Sequence, residues 1–340
     1  MTERIRPAAE SDLDAMMALV AARERANARG GPSLFEALQA ESEAGRVAAL
    51  RRMMATDMER GGQVALVAED EGRVVGFAVI SGTGMLLPPL DDVSKVATLG
   101  EFEVAKDRWP TAGPALFGAA LDAVRGRGAG MLMAQSLAPE AERRRLFESV
   151  GMRVTVETWW MPLTQRGTAG EGGGAAAEGG VRVRPAGAMD VDAMVALEAA
   201  HRAEEARRGS TFSSLFDGPA ESRQRVLAEW TASPEADVLI AEADGRPVGY
   251  ALVMDLDGLS PGLPAPTAAV NELAIEPERW PGAGRTLLHA ALDAAERRGA
   301  EQILVMTETT DPAHGGDLTA AGLTRIAENW YTGVQQPQQR

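Results

Sequence analysis

Arg279-Trp280-Pro281-Gly282-Ala283-Gly284 places one arginine and two glycines at R-x-x-G-x-G spacing. Without Cβ atoms, Gly282 and Gly284 let the backbone approach a ligand closely. Leu287, Leu288, Ala291, Leu292 and Ala295 then recur on one face of an amphipathic helix that should stop at Gly299. The first amides of such a helix have no intrahelical acceptor and lie at the positive end of its macrodipole. A phosphate or pyrophosphate is the natural ligand for that arrangement. Immediately upstream, Glu272-Leu273-Ala274-Ile275 reads as a short strand leading into the turn.

Other chemistries are narrowed by what the chain lacks. With no cysteine there is no thiolate nucleophile, no disulfide and no Cys-ligated zinc. His201, His289 and His314 are too dispersed in sequence to suggest a ligand cluster, so no metal is expected. Neither a G-x-S-x-G elbow nor a G-x-x-x-x-G-K-[ST] loop occurs, and Gly282-Ala283-Gly284 does not continue to the third glycine of a dinucleotide fingerprint. A net charge of −15 argues against nucleic acid as a partner. It suits either a cationic amine substrate or simple solubility. No apolar run is long enough for a membrane span, and MTERIRPAAESD has no signal-peptide core, so a cytoplasmic location without membrane partners is expected.

The elements that must hold the turn occur twice. Ile5 to Leu19 matches Val183 to Leu197, and Ala68 to Phe77 matches Ala241 to Tyr250. Arg108-Trp109-Pro110-Thr111-Ala112-Gly113 matches the R-x-x-G-x-G segment, and Glu157-Thr158-Trp159-Trp160 matches Glu328-Asn329-Trp330-Tyr331. So long a period means a duplicated domain and not a stacked array. The first helix of each copy carries Leu13, Met16, Met17 and Val20, or Val191, Met194, Val195 and Glu198, a stripe that reads as core. Asp12 and Asp190 fall near the start of that helix, as a cap or an acidic first-turn residue. Glu71-Gly72 and Asp244-Gly245 are hairpin turns between strands. Expected boundaries are 1–164 and 181–334 for the domains, a Gly-rich linker over 165–180 and a disordered tail over 335–340.

Strand, R-x-x-G-x-G turn and helix in this order resemble the acyl-CoA-binding motif of the GNAT family of N-acetyltransferases. The order βααβββαβαβ, present twice over almost the whole chain, is similar to that family's arrangement. The resemblance implies an α/β fold of two domains, each a mixed, mostly antiparallel sheet flanked by helices. It implies acetyl-CoA, or another acyl-CoA, as co-substrate. The strand residues Leu273, Ala274 and Ile275 would guide its pantetheine arm, and Arg279, Gly282, Ala283, Gly284 and Arg285 would face its pyrophosphate. It further implies direct attack by the amine of a small molecule, with Glu272 as the base.

Many family members carry their acid, a tyrosine, four residues before the glycine that ends the last helix. Here that position holds Leu318 or Phe147, which cannot donate a proton. Of the chain's two tyrosines, Tyr250 and Tyr331, Tyr331 beside Trp330 is the candidate acid. The alternatives are an aromatic packing role for it and a thiolate that leaves unassisted or takes a proton from water. Glu308, Asp255 and Asp257 are alternatives for amine recognition. The N-terminal copy departs from the motif, with Thr111 for the first glycine and Pro114, which has no N–H, where Arg285 stands. Degeneracy of that copy is expected, and the donor is assigned to the C-terminal one. The alternative reading is a non-catalytic acyl-CoA-binding or interaction module.

Overall fold

The structure is a computed structural model that describes residues 3–27, 43–60, 63–82, 96–138, 140–165, 180–207, 220–256, 265–308 and 312–334. Asp257, the expected tail and the expected linker between its end residues lie outside the described residues. The first copy runs β1 (Arg4–Pro7), α1 (Leu13–Asn27), α2 (Glu43–Arg60), β2 (Val64–Asp70), β3 (Arg73–Gly82), β4 (Val96–Val104), α3 (Ala112–Gly126), β5 (Met131–Leu137), α4 (Ala141–Ser149) and β6 (Arg153–Pro162). The second repeats this with β7 (Arg182–Pro185), α5 (Val191–Arg207), α6 (Ala220–Ala232), β8 (Ala236–Ala243), β9 (Arg246–Asp255), β10 (Thr267–Ile275), α7 (Arg285–Arg297), β11 (Gln302–Glu308), α8 (Pro312–Ala320) and β12 (Thr324–Gly333). Each copy therefore has the βααβββαβαβ order expected from the sequence. No helix among the described residues is long and apolar enough to cross a membrane.

The two compact units do not end where the repeats end. One comprises Met1–Val154 with Ala327–Arg340, the other Thr155–Ile326. In the first unit the strand order is β1-β2-β3-β4-β5-β12, with β12 antiparallel to β5 from Ala327↔Leu137 to Gly333↔Met131. In the second unit the order is β6-β11-β10-β9-β8-β7, with β6 antiparallel to β11 from Gln302↔Pro162 to Glu308↔Val156. Each copy thus lends its last strand to the other copy's unit. Trp330 fills the first unit's core, its ring centroid 5.7 Å from that of Phe147 and its indole N–H on Ser136 Oγ at 2.8 Å. Trp159 joins the core of the second unit, its indole N–H on Glu157 of its own strand at 3.2 Å.

Local chemistry explains the elements around the turn. The hairpins close on Glu71-Gly72 and Asp244-Gly245, both residues of each pair having positive φ, as the two-residue turn that matches strand twist requires. On α7, Leu287, Leu288, Ala291, Leu292 and Ala295 are buried against the sheet. Each leucine so buried contributes up to about 1.5–3 kcal/mol. The helix stops where Gly299 takes φ +84°, with Ala300 N–H on Ala295 O at 3.1 Å and Gly299 N–H on Glu296 O at 2.9 Å. Asp12 and Asp190 serve as staples at the helix entrance. Asp190 accepts the Gly187 amide at 2.7 Å and both guanidinium nitrogens of Arg184 at 2.7 and 2.8 Å, and Asp12 does the same with Ala9 and Arg6.

Candidate functional site

Within the second unit, β10 pairs with β11 in parallel only from Thr267↔Gln302 to Val270↔Val305. At that point the register of β10 against β9 slips by one residue, at Asn271, a β-bulge that bends the strand and re-aims the side chains after it. Residues 272–275 keep their pairing with β9, Glu272 facing Leu252 and Ala274 facing Tyr250, while their other edge leaves β11. A wedge opens between β10 and β11, and the R-x-x-G-x-G turn follows at its mouth.

Trp280–Gly284 forms a π-helical turn that runs directly into α7, a local winding often found at functional sites. Arg279 is exposed enough to meet Asp244 at 3.3 Å, and Arg285 is exposed with its Nε on Pro281 O at 2.7 Å. Both cations therefore stand at the helix entrance. Gly284 carries a constraint from within the turn. A Cβ on Gly284 would lie 2.7 Å from the Trp280 indole and 3.2 Å from Ile275 Cδ1, so its smallness is required by the turn's own tryptophan. Trp280 is in turn fixed by its N–H on Asp317 at 2.8 Å and by stacking on His314 at a centroid distance of 3.6 Å. Gly282 remains half-buried at the turn's surface, while Ala283 and Gly284 are buried.

Glu272 sits on β10 just past the bulge, and both its oxygens are engaged. Its Oε1 receives Arg223 from α6, and its Oε2 accepts the Tyr250 hydroxyl of β9 at 2.7 Å. Arg223 also donates through Nε to Glu198 of α5. Burial pushes the Tyr250 phenol well up, so it stays protonated and donates. Burial also raises the Glu198 carboxyl, with the nearby Glu272 charge adding to the effect and Arg223 opposing it. Arg223 is not singled out from the sequence, Glu198 reads there as part of a core stripe, and Tyr250 enters only as a repeat position and as one of the two tyrosines. The signal was in the repeat: the first copy has Phe77 where Tyr250 stands and Val20 where Glu198 stands.

The remaining predicted residues are dispersed. Tyr331 lies on β12 in the first unit, buried and in register with Met133, so the structure does not bring it into the unit that holds Glu272. Asp255 is held by Arg298 at 2.6 and 2.9 Å, an ion pair that ties the end of β9 to the end of α7. Glu308 closes β11. Leu318 and Phe147, at the position where the family's tyrosine was sought, are fully buried core residues. A groove of about 670 Å³ between the start of α5 and α6 is lined by none of the predicted residues.

The corresponding wedge of the first unit is filled. Its parallel pairing ends at Leu99↔Ala134, after which a bulge at Gly100 separates β4 from β5. Arg143 of α4 enters from the helix side and donates to Phe102 O of β4 at 2.6 Å and Gln135 O of β5 at 3.3 Å. Glu103 and Glu140 neutralise it at 2.8 and 2.9 Å. Glu103 also meets Arg23, which reaches Glu101 at 3.1 Å. In the second unit the equivalent helix reads His314-Gly315-Gly316, with no arginine at that position. At the first unit's turn, Thr111 Oγ1 donates to Glu3 at 2.5 Å, and the Thr111 and Ala112 amides both go to Arg108 O at 3.2 and 2.9 Å. Pro114 is accommodated in the first turn of α3.

Comparison with known proteins adds the following. Residues 203–315 match the model of the Acetyltransferase (GNAT) family. No protein of curated function matches the sequence. A GCN5-related N-acetyltransferase from Sphaerobacter thermophilus shares the fold over 98% of this chain and 96% of its own, at 16% identity and a TM-score of 0.55. The glucosamine N-acetyltransferase region of a fungal multi-domain GH3 β-N-acetylglucosaminidase covers 97% of this chain and 38% of its own, at 14% identity and a TM-score of 0.52. A tandem GNAT protein from the clavulanic acid biosynthesis pathway covers 99% and 100%, at 17% identity and a TM-score of 0.47.

Proposed function

We propose that this chain is a tandem protein of the GNAT family whose C-terminal copy transfers an acetyl group, or another acyl group, from acyl-CoA to the amine of a small molecule. The observation that carries the reading is the contrast between the two wedges. An extended, amide-bearing arm needs strand edges whose backbone groups can pair with it. Past Val270 the edge of β10 leaves its partner strand, whereas the same opening between β4 and β5 is bridged by Arg143.

The turn suits the other end of the donor. Its amides open α7, and Arg279 and Arg285 supply positive charge for a pyrophosphate. Leu273, Ala274 and Ile275 line the path between turn and carboxylates on β10. At the inner end, Arg223 lies between the Glu272 and Glu198 carboxylates, with the Tyr250 hydroxyl on Glu272 and Arg202 beside Glu198, a set of polar groups with which an ammonium acceptor can pair. Acyl transfer then needs the ammonium to lose a proton, the free amine to attack the thioester carbonyl, and the departing sulfur to gain a proton.

Titration calorimetry with acetyl-CoA, followed by thiol release with a panel of primary amines, tests this. One molecule bound per chain and thiol release with at least one amine is the expected result. Binding with no turnover on any amine would instead favour a non-catalytic acyl-CoA-binding module. The buried Leu318 and the occupied oxygens of Glu272 are what give that second reading weight.

A further inference from the structure

Resting on the transferase reading above, the geometry points to Glu198, rather than Glu272, as the group that takes the proton from the acceptor ammonium. Glu272 has neither oxygen open: Arg223 holds one and the Tyr250 hydroxyl the other at 2.7 Å. Glu198 gives only Oε2 to Arg223 Nε. Its Oε1 stands 3.5 Å from Arg202 Nη1, longer than a well-formed hydrogen bond, and that oxygen can accept a proton without breaking one. The side chains of Glu198 and Glu272 keep 11% and 14% of their surface exposed, so an acceptor nitrogen can reach the pair.

The internal repeat says that the fold does not need this carboxylate. Val20 occupies the same helix position in the first copy and packs there as ordinary core. Placing an ionisable group where a valine suffices costs desolvation, which Arg223 only partly offsets. A shift of this kind beside an opening in the sheet is the pattern expected of a working base. The groups that face Glu198 are Arg223 from α6, Arg202 from its own helix, and Glu272 of β10, which Tyr250 of β9 hydrogen-bonds. Glu198 combines an oxygen held only by the 3.5 Å ion pair to Arg202 with an environment that favours the protonated form, the condition for efficient general-base catalysis. Glu272 and Tyr250 are then positioning residues, holding Arg223 so that it orients Glu198.

Glu198 carboxylate takes one proton from R–NH3⁺ to give R–NH2 and the neutral acid. The nitrogen lone pair forms the C–N bond at the thioester carbonyl and the C–S bond breaks. The nitrogen's second surplus proton ends on the departing thiolate, giving the amide and the free thiol. Glu198 returns its proton to solvent.

Two measurements test the assignment. First, kcat/KM is measured against pH with acetyl-CoA and either propylamine, a strong base, or hydroxylamine, which is largely unprotonated at neutral pH. Glu198→Gln should lower kcat/KM for propylamine about 10²-fold or more, remove the rising limb at low pH, and leave hydroxylamine nearly unaffected. Glu272→Gln should depress both amines alike. Second, difference infrared spectroscopy follows protonated carboxyl during a pH titration of the unliganded protein. Glu198 and the buried Glu103 should both titrate above the ordinary range, and one of the two carboxyl signals should vanish in Glu198→Gln while both persist in Glu272→Gln. Equal loss with both amines in Glu198→Gln, or persistence of both carboxyl signals in that variant, overturns the assignment while leaving acyl transfer intact. Absence of thiol release from the wild-type protein with every amine overturns the transferase reading and this assignment with it.

Discussion

At the residue scale, the duplication works as an internal control: what both copies share points to the fold they have in common. The Arg6–Asp12 and Arg184–Asp190 staples are shared. Hydrogen bonds from Arg184 hold the Asp190 carboxyl below its ordinary value of 3.8, and Asp12 is lowered by Arg6 in the same way. The unfolded chain therefore binds more protons than the folded one below that value. The stability these groups contribute is complete above it and is lost as pH falls through the lower folded values. Denaturation midpoints of Asp12→Asn/Asp190→Asn should accordingly show a flatter acid limb than wild type. Gly284 and Gly113 make a second pair. Gly284→Ala drives a Cβ to 2.7 Å from Trp280, which should cost about 1–3 kcal/mol in urea denaturation. At Gly113 the nearest atoms stand at 3.4 Å, and Gly113→Ala should be neutral or stabilising by up to about 1 kcal/mol. Equal losses at both sites would show that the Trp280 contact is not what requires Gly284.

At the element scale, one bulge in each copy decides what the sheet can do. Gly100 and Asn271 each add a residue to their strand just before a glutamate, and in both places the parallel pairing stops there. Helix α4 closes the first opening with Arg143, whose guanidinium satisfies carbonyls on both strands and is balanced by Glu103 and Glu140. Removing one partner of a buried ion pair leaves an uncompensated charge. Arg143→Leu should therefore destabilise the chain by about 3–5 kcal/mol, read from urea denaturation at neutral pH. Adding Glu103→Leu should recover part of that loss. No recovery in the double variant would mean that the bridging of the two strand carbonyls, and not charge balance, is what Arg143 contributes.

At the scale of the whole molecule, the exchanged last strands make each repeat incomplete by itself. A fragment 1–164 lacks Trp330, which stacks near Phe147 and donates to Ser136 at 2.8 Å. Such a fragment should melt without a cooperative transition. A fragment as stable as the full chain would mean that its own β6 can replace β12 beside β5, as in a domain swap undone. The donor stoichiometry belongs to this scale as well. One acetyl-CoA per chain follows from one open and one bridged wedge, and calorimetry giving two would refute the distinction.

Much of this was written locally. Apolar periodicity, Gly-containing turns and the repeat itself determined the βααβββαβαβ order, the hairpins at Glu71-Gly72 and Asp244-Gly245, the end of α7 at Gly299 and the place of the R-x-x-G-x-G turn, because each depends on residues within a few positions of one another. Even the unequal copies were visible as Thr111 and Pro114. Other features needed contacts between residues far apart in sequence. Arg223 meets Glu272 across 49 positions, Arg143 reaches Phe102 across 41, and Trp330 reaches Ser136 across 194. No local pattern encodes such pairings, since they are fixed by the sheet's register and by which helix covers which face. The sequence alone thus located the turn at the mouth of α7. Only the tertiary structure decided that Gly284 packs against Trp280 and that Arg223 joins the Glu198 and Glu272 carboxylates, with the Tyr250 hydroxyl on Glu272.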